Sequence, residues 1–275
     1  MDTSEWDEYM RLDEPNQRAK SESWQAAIGL QDVDGLKISP YLLETAKKNI
    51  DGELSFYEAR ERIDAYYQIQ SSQTAENRTE EADKVAVRIA ELLSEDHFTF
   101  SPMEYLLTHQ RLFEGVLDQA IVGKARTYNI KKQEWVLQGQ SVVYAHAAHI
   151  MQTLDYDFAQ ERDFSYQGLS SAQILEHLGK FIARLWQIHA FGEGNTRTTA
   201  VFAIKYLRTL GFQVNNDLFA EHSWYFRNAL VRANYNNYPQ GIHATPSFLI
   251  MFLENLLLGQ KYVLSNRAML IELIN

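Results

Sequence analysis

A nine-residue stretch, residues 189–197 with the sequence HAFGEGNTR, concentrates the side chains that could do chemistry. Gly192 and Gly194 bracket an acidic residue, and glycine lets the backbone adopt positive φ and approach a ligand closely. The apolar segment AVFAIKYLRTL follows, so the stretch leads into a helix that we expect to begin near Thr198. The unpaired N–H groups and the dipole of such a helix N-terminus favour anions. Asn195 and Arg197 add hydrogen-bond donors, and arginine can bind a phosphate through two N–H groups. This pattern predicts a phosphate-binding loop.

Two titratable side chains of the same stretch fit such a loop. Glu193 would repel a phosphate unless a divalent cation such as Mg²⁺ lay between them. His189 lies at the end of the preceding helix and is the candidate general base. Each also has a simpler explanation, because His189 continues an apolar stripe through Ile182 and Leu185, and Glu193 could stabilise the next helix through its dipole. The residues of this stretch together are more specific evidence for a phosphate-binding loop than any one of them alone.

Helices are predicted on both sides of this stretch and along most of the chain. Residue pairs typical of helix N-termini are Ser39-Pro40, Ser55 with Glu58, Ser101-Pro102 with Glu104, and Ser170 with Gln173. Apolar residues recur at helical spacing after these starts, and again in WYFRNALVRANY and SFLIMFLENLLLG. The sequence therefore predicts a mostly α fold.

Two segments depart from the helical pattern. RTYNIKKQEWVL, residues 126–137, alternates and is rich in β-forming residues, with a Lys-Lys-Gln step in its middle, which predicts a short β-hairpin. Residues 70–80, QSSQTAENRTE, are polar without apolar periodicity and are predicted to be a linker. We therefore expect an N-terminal helical segment, residues 1–70, and a larger domain, residues 71–275.

The composition places the chain among globular proteins. Its 275 residues are 45% hydrophobic and 23% charged, and none is a cysteine, so no disulfide contributes to stability. A formal net charge of −10 makes nucleic acid an unfavourable partner. No apolar run approaches the roughly 20 residues of a membrane span, and the acidic N-terminus does not resemble a signal peptide. We expect a cytoplasmic protein that binds neither nucleic acid nor membranes; a homo-oligomer is compatible with the sequence.

The motif and its surroundings resemble one enzyme family. HAFGEGNTRTTA is similar to HPFx[D/E]GNGRxxR, the signature of the Fic (Fido) family. THQRLFEG, residues 108–115, resembles the helix before that family's flap, and RTYNIKKQEWVL looks like the flap hairpin, so the resemblance covers about residues 76–261. It implies a Fic-type helical fold with one small β-hairpin flap. It also implies transfer of AMP from ATP to a Ser, Thr or Tyr hydroxyl of a target protein.

The resemblance also implies a role for each matching residue. His189 would take the proton of the target hydroxyl, Glu193 would hold Mg²⁺, and Phe191 would anchor the loop in the core. The implied nucleotide-binding residues are Gly192, Gly194, Asn195, Thr196 and Arg197. Those of the flap that would position the target are Tyr128, Asn129 and Ile130.

Three positions depart from the signature. Ala190 replaces a proline and removes no functional group. Thr196 replaces a glycine, which puts a β-branched side chain where the family keeps the phosphates close to bare backbone. Ala200 stands where the family has a second arginine that grips the terminal phosphate. The last two leave open a kinase-like or other phosphate-group transfer with a different nucleotide orientation, and a Fic fold that binds nucleotide or a partner without turnover.

The N-terminal segment resembles the small Fic antitoxins, here ahead of the domain in the same chain, over residues 35–67. Antitoxins of this kind carry an inhibitory helix with the motif [S/T]xxxE[G/N], and the nearest match here is Asp34-Gly35, with Leu30 in place of Ser or Thr. Asp34 is therefore the candidate inhibitory residue, acting on Arg197 or on the γ-phosphate because Ala200 carries no charge. Covering of the nucleotide cleft by the segment is the other expected mode of inhibition. A helical cap without an inhibitory role is the alternative.

Overall fold

The computed structural model describes residues 15–70, 78–214 and 217–273. The α-helices in these ranges are α1 (Pro15–Gly29), α2 (Pro40–Ile50), α3 (Phe56–Gln70), α4 (Thr79–Ser94), α5 (Pro102–Phe113), α6 (Ile150–Arg162), α7 (Ser171–Ile188), α8 (Asn195–Thr209), α9 (Asp217–Asn234) and α10 (Ser247–Leu258). Two short antiparallel strands, β1 (Lys131–Gln133) and β2 (Ser141–Val143), pair between α5 and α6. The predicted fold class, mostly α with one small hairpin, is confirmed. None of the helices described has both the length and the apolar character needed to span a membrane.

The helix starts predicted from capping residues are confirmed. Ser39 Oγ accepts the Leu42 N–H at 3.1 Å, which fixes the start of α2. At the start of α7, Ser170 and Gln173 make both hydrogen bonds of a capping box. These side chains satisfy N–H groups that the first helical turn leaves unpaired, so the signals depend only on neighbours in sequence.

The hairpin differs from the predicted one in its second strand. β1 begins in the Lys-Lys-Gln step, and its partner strand lies downstream of the predicted segment, with Lys132 opposite Val142. Residues 135–137 form a 3₁₀ turn in the connection instead of a strand. Val136 and Leu137 are fully buried there, so the apolar pattern of this segment reflects packing of the turn.

The predicted linker is shorter than expected. Residues 79–80 belong to the first turn of α4, where acidic residues are favoured by the helix dipole. Residues 71–77, the centre of that prediction, and residues 1–14 of the N-terminal segment lie outside the described residues.

The hydrophobic core is continuous between the N-terminal segment and the rest of the chain. α1 packs against α4 and α9, and its residues Trp24 and Ile28 are buried. Asp83 of α4 accepts hydrogen bonds from the Ser39 backbone and hydroxyl and from the Tyr67 hydroxyl, which fastens α2 and α3 to α4. The domain boundary at residue 70 stays a prediction, since apolar contacts cross it.

Candidate active site

The motif occupies the loop between α7 and α8, and its backbone geometry is tightly set. His189 adopts a left-handed conformation with φ of 49°, and Gly194 precedes α8 with φ of 70°. A Cβ on Gly194 would lie 2.4 Å from ring carbons of Phe113, so only glycine fits. Asn195 closes the loop, because its Oδ1 accepts the Phe191 N–H at 2.9 Å and its Nδ2 donates to the Phe191 carbonyl at 2.7 Å. α8 therefore begins at Asn195, three residues before the predicted start.

The imidazole of His189 is buried beneath Tyr144. The side chain is 2% exposed, and the two rings stack with centroids 3.7 Å apart and planes 14° apart. Neither ring nitrogen has a hydrogen-bond partner. Burial holds the pKa of His189 well below the ordinary histidine value, and the nearby cation of Lys132 lowers it further. His189 is therefore neutral near pH 7, the form that can accept a proton.

Phe191 and His109 seat the loop in the core. Phe191 is fully buried and stacks on the His109 ring at 3.8 Å, and its position suits the predicted anchor. The Gly123 N–H donates to His109 Nδ1 at 2.9 Å, so the other nitrogen, Nε2, carries the proton and donates to the Glu193 carbonyl at 3.2 Å. Burial lowers the pKa of His109 to about 4, which keeps the ring in this neutral form.

Arg126 joins the base of the hairpin to the motif. Its backbone N–H donates to the Ala190 carbonyl at 2.8 Å, and its Nε donates to the His189 carbonyl at 2.8 Å. Its other guanidinium N–H groups donate to the carbonyls of Tyr128 and Ala145. One buried arginine thus fixes the spacing between the hairpin and the loop.

The three predicted flap residues occupy different environments. Tyr128 is 53% exposed and its hydroxyl lies over Gly192, where a Cβ would come within 2.6 Å of it. Asn129 accepts the Ala147 N–H on its side-chain oxygen at 2.8 Å, and the Ile130 carbonyl accepts the Tyr144 N–H at 3.4 Å. The structure therefore brings Tyr128 to the motif and uses Asn129 and Ile130 in local contacts.

Thr196 and Arg197 are turned into the protein. Thr196 Oγ1 accepts the indole N–H of Trp186 at 3.0 Å. The hydroxyl that threonine adds at this position, compared with a glycine, is thus directed toward α7. Together with the loop-closing bonds of Asn195, this leaves the backbone of the loop as the surface that a phosphate would meet.

Arg197 is fully buried and held by three residues from the N-terminal half of the chain. Its Nη1 donates to Gln31 Oε1 at 3.1 Å, and its Nη2 donates to Glu81 Oε1 at 2.6 Å. Its Nε lies 2.8 Å from Asp34 Oδ2, an ion pair that lacks hydrogen-bond geometry. The guanidinium also stands 4.9 Å over the ring of Phe113. In this conformation the Arg197 guanidinium binds side chains of the protein and does not face a ligand.

Glu193 is the motif side chain most open to solvent. Its carboxylate is 41% exposed and lies 3.5 Å from Arg78, which in turn binds Glu81. Among the described residues no three His, Asp or Glu side chains come together as a metal site. A single carboxylate still suits Mg²⁺, which usually takes one or two protein carboxylates and completes its shell with phosphate oxygens and water. Glu193 therefore fits the metal that the resemblance implies.

Comparison with known proteins finds a family match in the middle of the chain. Residues 99–207 match the Fic/DOC family. These residues are similar to a Fic domain, and the match covers less than half of the chain. They include α5, the hairpin and the whole motif, and the family is typically one of transferases. A search of curated proteins found no match to the chain. The N-terminal contacts to Arg197 lie outside the matched residues.

Sequence reasoning missed five residues of this site: Gln31, Glu81, His109, Arg126 and Tyr144. A signal existed for His109, which repeats at helical spacing between the core residues Tyr105 and Leu112. Nothing in the sequence marks Gln31 or Glu81, because their partner Arg197 lies more than a hundred residues away.

Proposed function

We propose that the protein transfers AMP from ATP to a Ser, Thr or Tyr hydroxyl of a target protein. The observation that carries the proposal is the loop between α7 and α8. A neutral histidine precedes a turn in which two glycines bracket a partly exposed carboxylate, and this turn enters a helix N-terminus within the residues that match the Fic/DOC family. Such a terminus favours phosphate groups through its free N–H groups and its dipole.

In this mechanism His189 acts as the general base. Its free imidazole nitrogen takes the proton of the target hydroxyl while that oxygen bonds to the α-phosphorus of ATP. The bond from the α-phosphorus to the bridging oxygen breaks, and pyrophosphate leaves. The backbone N–H groups of the loop stabilise the charge on the phosphates. Glu193 would hold Mg²⁺, which would supply further neutralisation of that charge.

The N-terminal segment restrains this activity in the same proposal. Arg197 is the single arginine left in the motif, since residue 200 is alanine. Its three donor nitrogens face Gln31, Asp34 and Glu81, so a phosphate must displace two carboxylates to reach it. The helical cap without a regulatory role remains the alternative explanation of the segment.

A second candidate function is a Fic domain that binds a nucleotide or a partner without turnover. It is favoured by the inward orientation of Asn195, Thr196 and Arg197, and by the alanine at position 200. Kinase-like or other phosphate-group transfer, with the nucleotide in another orientation, is the alternative within enzymes.

Labelled ATP separates these functions. The protein is incubated with a cell lysate, Mg²⁺ and ATP labelled at either the α- or the γ-phosphorus. We expect protein-bound label from α-labelled ATP alone. Label from γ-labelled ATP alone would mean phosphoryl transfer, and no label from either, also with the double variant Asp34→Asn, Glu81→Gln, would favour the binding module.

Replacing the base should abolish most of this transfer. His189→Ala is expected to slow labelling by about 10²–10⁴-fold. The pKa of a target hydroxyl lies far above neutral pH, so its attack needs a positioned proton acceptor. The affinity for ATP with Mg²⁺, measured by calorimetry, should be nearly unchanged. His149→Ala, at an exposed histidine outside the motif, is the matched control. Equal labelling rates for wild type and His189→Ala would refute the assigned role.

A further inference from the structure

Two buried polar groups that lie against each other lack any partner. They are the ring nitrogens of His189 and the hydroxyl of Tyr144. The two rings stack face to face and make no hydrogen bond to each other. Buried polar groups are nearly always hydrogen-bonded, and leaving one unpaired costs about 1–3 kcal/mol. A movement that uncovers both groups would let each of them gain a partner.

Tyr144 is connected to the hairpin. It directly follows β2, and its N–H donates to the Ile130 carbonyl, which extends the pairing beyond the strand. The next residue, Ala145, donates its N–H to the Gln187 carbonyl and accepts from Arg126. The ring over His189 is therefore attached to the flap on one side and to α7 on the other.

The surroundings of the two rings disfavour a charge on His189. Trp186 meets both rings edge-on, at centroid distances of 5.4 and 5.5 Å. The cations nearby are Lys132, Arg126 and Arg227, and the carboxylate of this region, Glu134, is bound by Arg227 at 2.6 and 2.9 Å. No carboxylate of the described residues forms an ion pair with His189, so the ring is held neutral and covered.

We propose that Tyr144 is a lid over His189, a positioning residue that moves away with the hairpin when a target segment docks. In the open position the imidazole accepts the target hydroxyl proton and the Tyr144 hydroxyl meets water or substrate, so both groups gain partners. That the group reaching His189 is a hydroxyl of a target protein rests on the proposed function. The covering of His189 by the Tyr144 ring is a property of the protein alone and can be tested without activity.

The test is site-resolved modification of histidines with diethyl pyrocarbonate, read by mass spectrometry of peptides. In wild type, His189 should react more slowly than the exposed His146 and His149, which serve as internal references. Tyr144→Ala should raise the rate at His189 at least about tenfold, because access no longer needs an opening step. Tyr144→Phe keeps the ring and should behave as wild type. Protection unchanged in Tyr144→Ala, or lost equally in Tyr144→Phe, would overturn the proposal.

A second variant and a second readout cover the case in which Tyr144→Ala does not fold. Tyr144→Leu is smaller than tyrosine and cannot cover the imidazole as a planar ring, and its folding is checked by circular dichroism. NMR of ¹³C-labelled histidine should then show the pKa of His189 rising toward about 6.5 relative to wild type. An unchanged pKa in a folded variant would contradict the lid.

The two proposals fail separately. If His189 becomes accessible in Tyr144→Ala while no label is transferred from ATP, AMP transfer is wrong and the lid stands. If wild type transfers label but His189 is equally reactive in all variants, the lid is wrong and the function stands.

Discussion

The side chains that open α8 hold the shape of the loop, and Glu193 alone among the acidic and polar side chains of the motif reaches toward solvent. Asn195 bonds the backbone of Phe191, and Thr196 bonds Trp186. A loop fixed in this way presents its N–H groups without reorganisation, which is the arrangement that stabilises developing charge most effectively. At the scale of residues, the proposed chemistry therefore depends on Glu193, on His189 as the base, and on His109, which holds the loop in place.

Removing the carboxylate of Glu193 should uncouple nucleotide binding from Mg²⁺. We expect wild-type affinity for ATP, measured by calorimetry, to fall when Mg²⁺ is removed. Glu193→Gln should weaken this dependence at least about tenfold, since even groups that merely support a metal ligand contribute 10- to 100-fold. Glu80→Gln, an acidic residue that pairs with Lys84 nearby, is the charge-matched control. Equal wild-type affinity with and without Mg²⁺ would assign Glu193 to stabilising α8.

His109 should make the stability of the fold depend on pH. Its pKa is about 4 in the folded protein and about 6.5 when exposed, so between these values the unfolded chain binds more protons. The stabilisation is present above pH 6.5 and is lost as pH falls toward 4. From pH 7 to pH 5 this single group should cost about 1–2 kcal/mol of the free energy of unfolding.

The matched variant for this prediction is His109→Gln, which can still donate to the Glu193 carbonyl but does not titrate. Urea unfolding at pH 7 and pH 5 should show a smaller loss in the variant than in wild type. His189 contributes with the same sign but is present in both proteins, so it cancels. Parallel losses would mean that His109 is not held neutral by the fold.

At the scale of elements, the features that could be predicted from sequence were those fixed by interactions between neighbouring residues. Helix starts at Ser39 and Ser170 were predictable because the capping bonds join neighbours in sequence. The second strand of the hairpin was not, because a buried 3₁₀ turn carries the same apolar residues as a strand. The start of α8 was placed late because Gly194, in a left-handed conformation, precedes the helix without a side-chain cap.

The two motif glycines should differ sharply when replaced by alanine. At Gly194 the positive φ and the overlap with the Phe113 ring act together, so Gly194→Ala should cost about 2–4 kcal/mol. At Gly192 the added Cβ meets the hydroxyl of Tyr128, the far end of an exposed side chain that can turn away. Gly192→Ala should therefore cost less than about 1 kcal/mol. Urea unfolding of the two variants measures the difference, and equal costs would contradict the tight fit against α5.

At the scale of the whole molecule, charged side chains connect the N-terminal segment to the motif. The chain of contacts runs Asp34, Arg197, Glu81, Arg78, Glu193, with opposite charges at every step. Its two ends are the candidate inhibitory residue and the candidate metal ligand. These long-range partners could not be predicted from sequence, although Asp34 acting on Arg197 was one of the modes expected for the segment.

Deleting the N-terminal segment is a poor test of restraint in this fold. Trp24, Ile28 and Leu30 are buried, so a truncated chain would expose part of its core. Substitutions that keep the shape of the contact are sharper. Asp34→Asn and Glu81→Gln each remove one negative charge from Arg197 and preserve the volume of the side chain.

We expect Asp34→Asn alone to raise labelling from ATP only a few-fold, because Glu81 still binds Arg197 at 2.6 Å. The double variant should raise labelling far more than the product of the single effects. A buried arginine without a carboxylate is destabilised by about 3–5 kcal/mol, so the conformation in which Arg197 is turned into the protein is no longer favoured. Asp32→Asn, an exposed residue of the same turn, is the control for charge. Thermal unfolding of each variant is measured together with activity. Folded double variants that label no faster than wild type would show that the segment is a structural cap, because freeing Arg197 would then have had no consequence for the reaction.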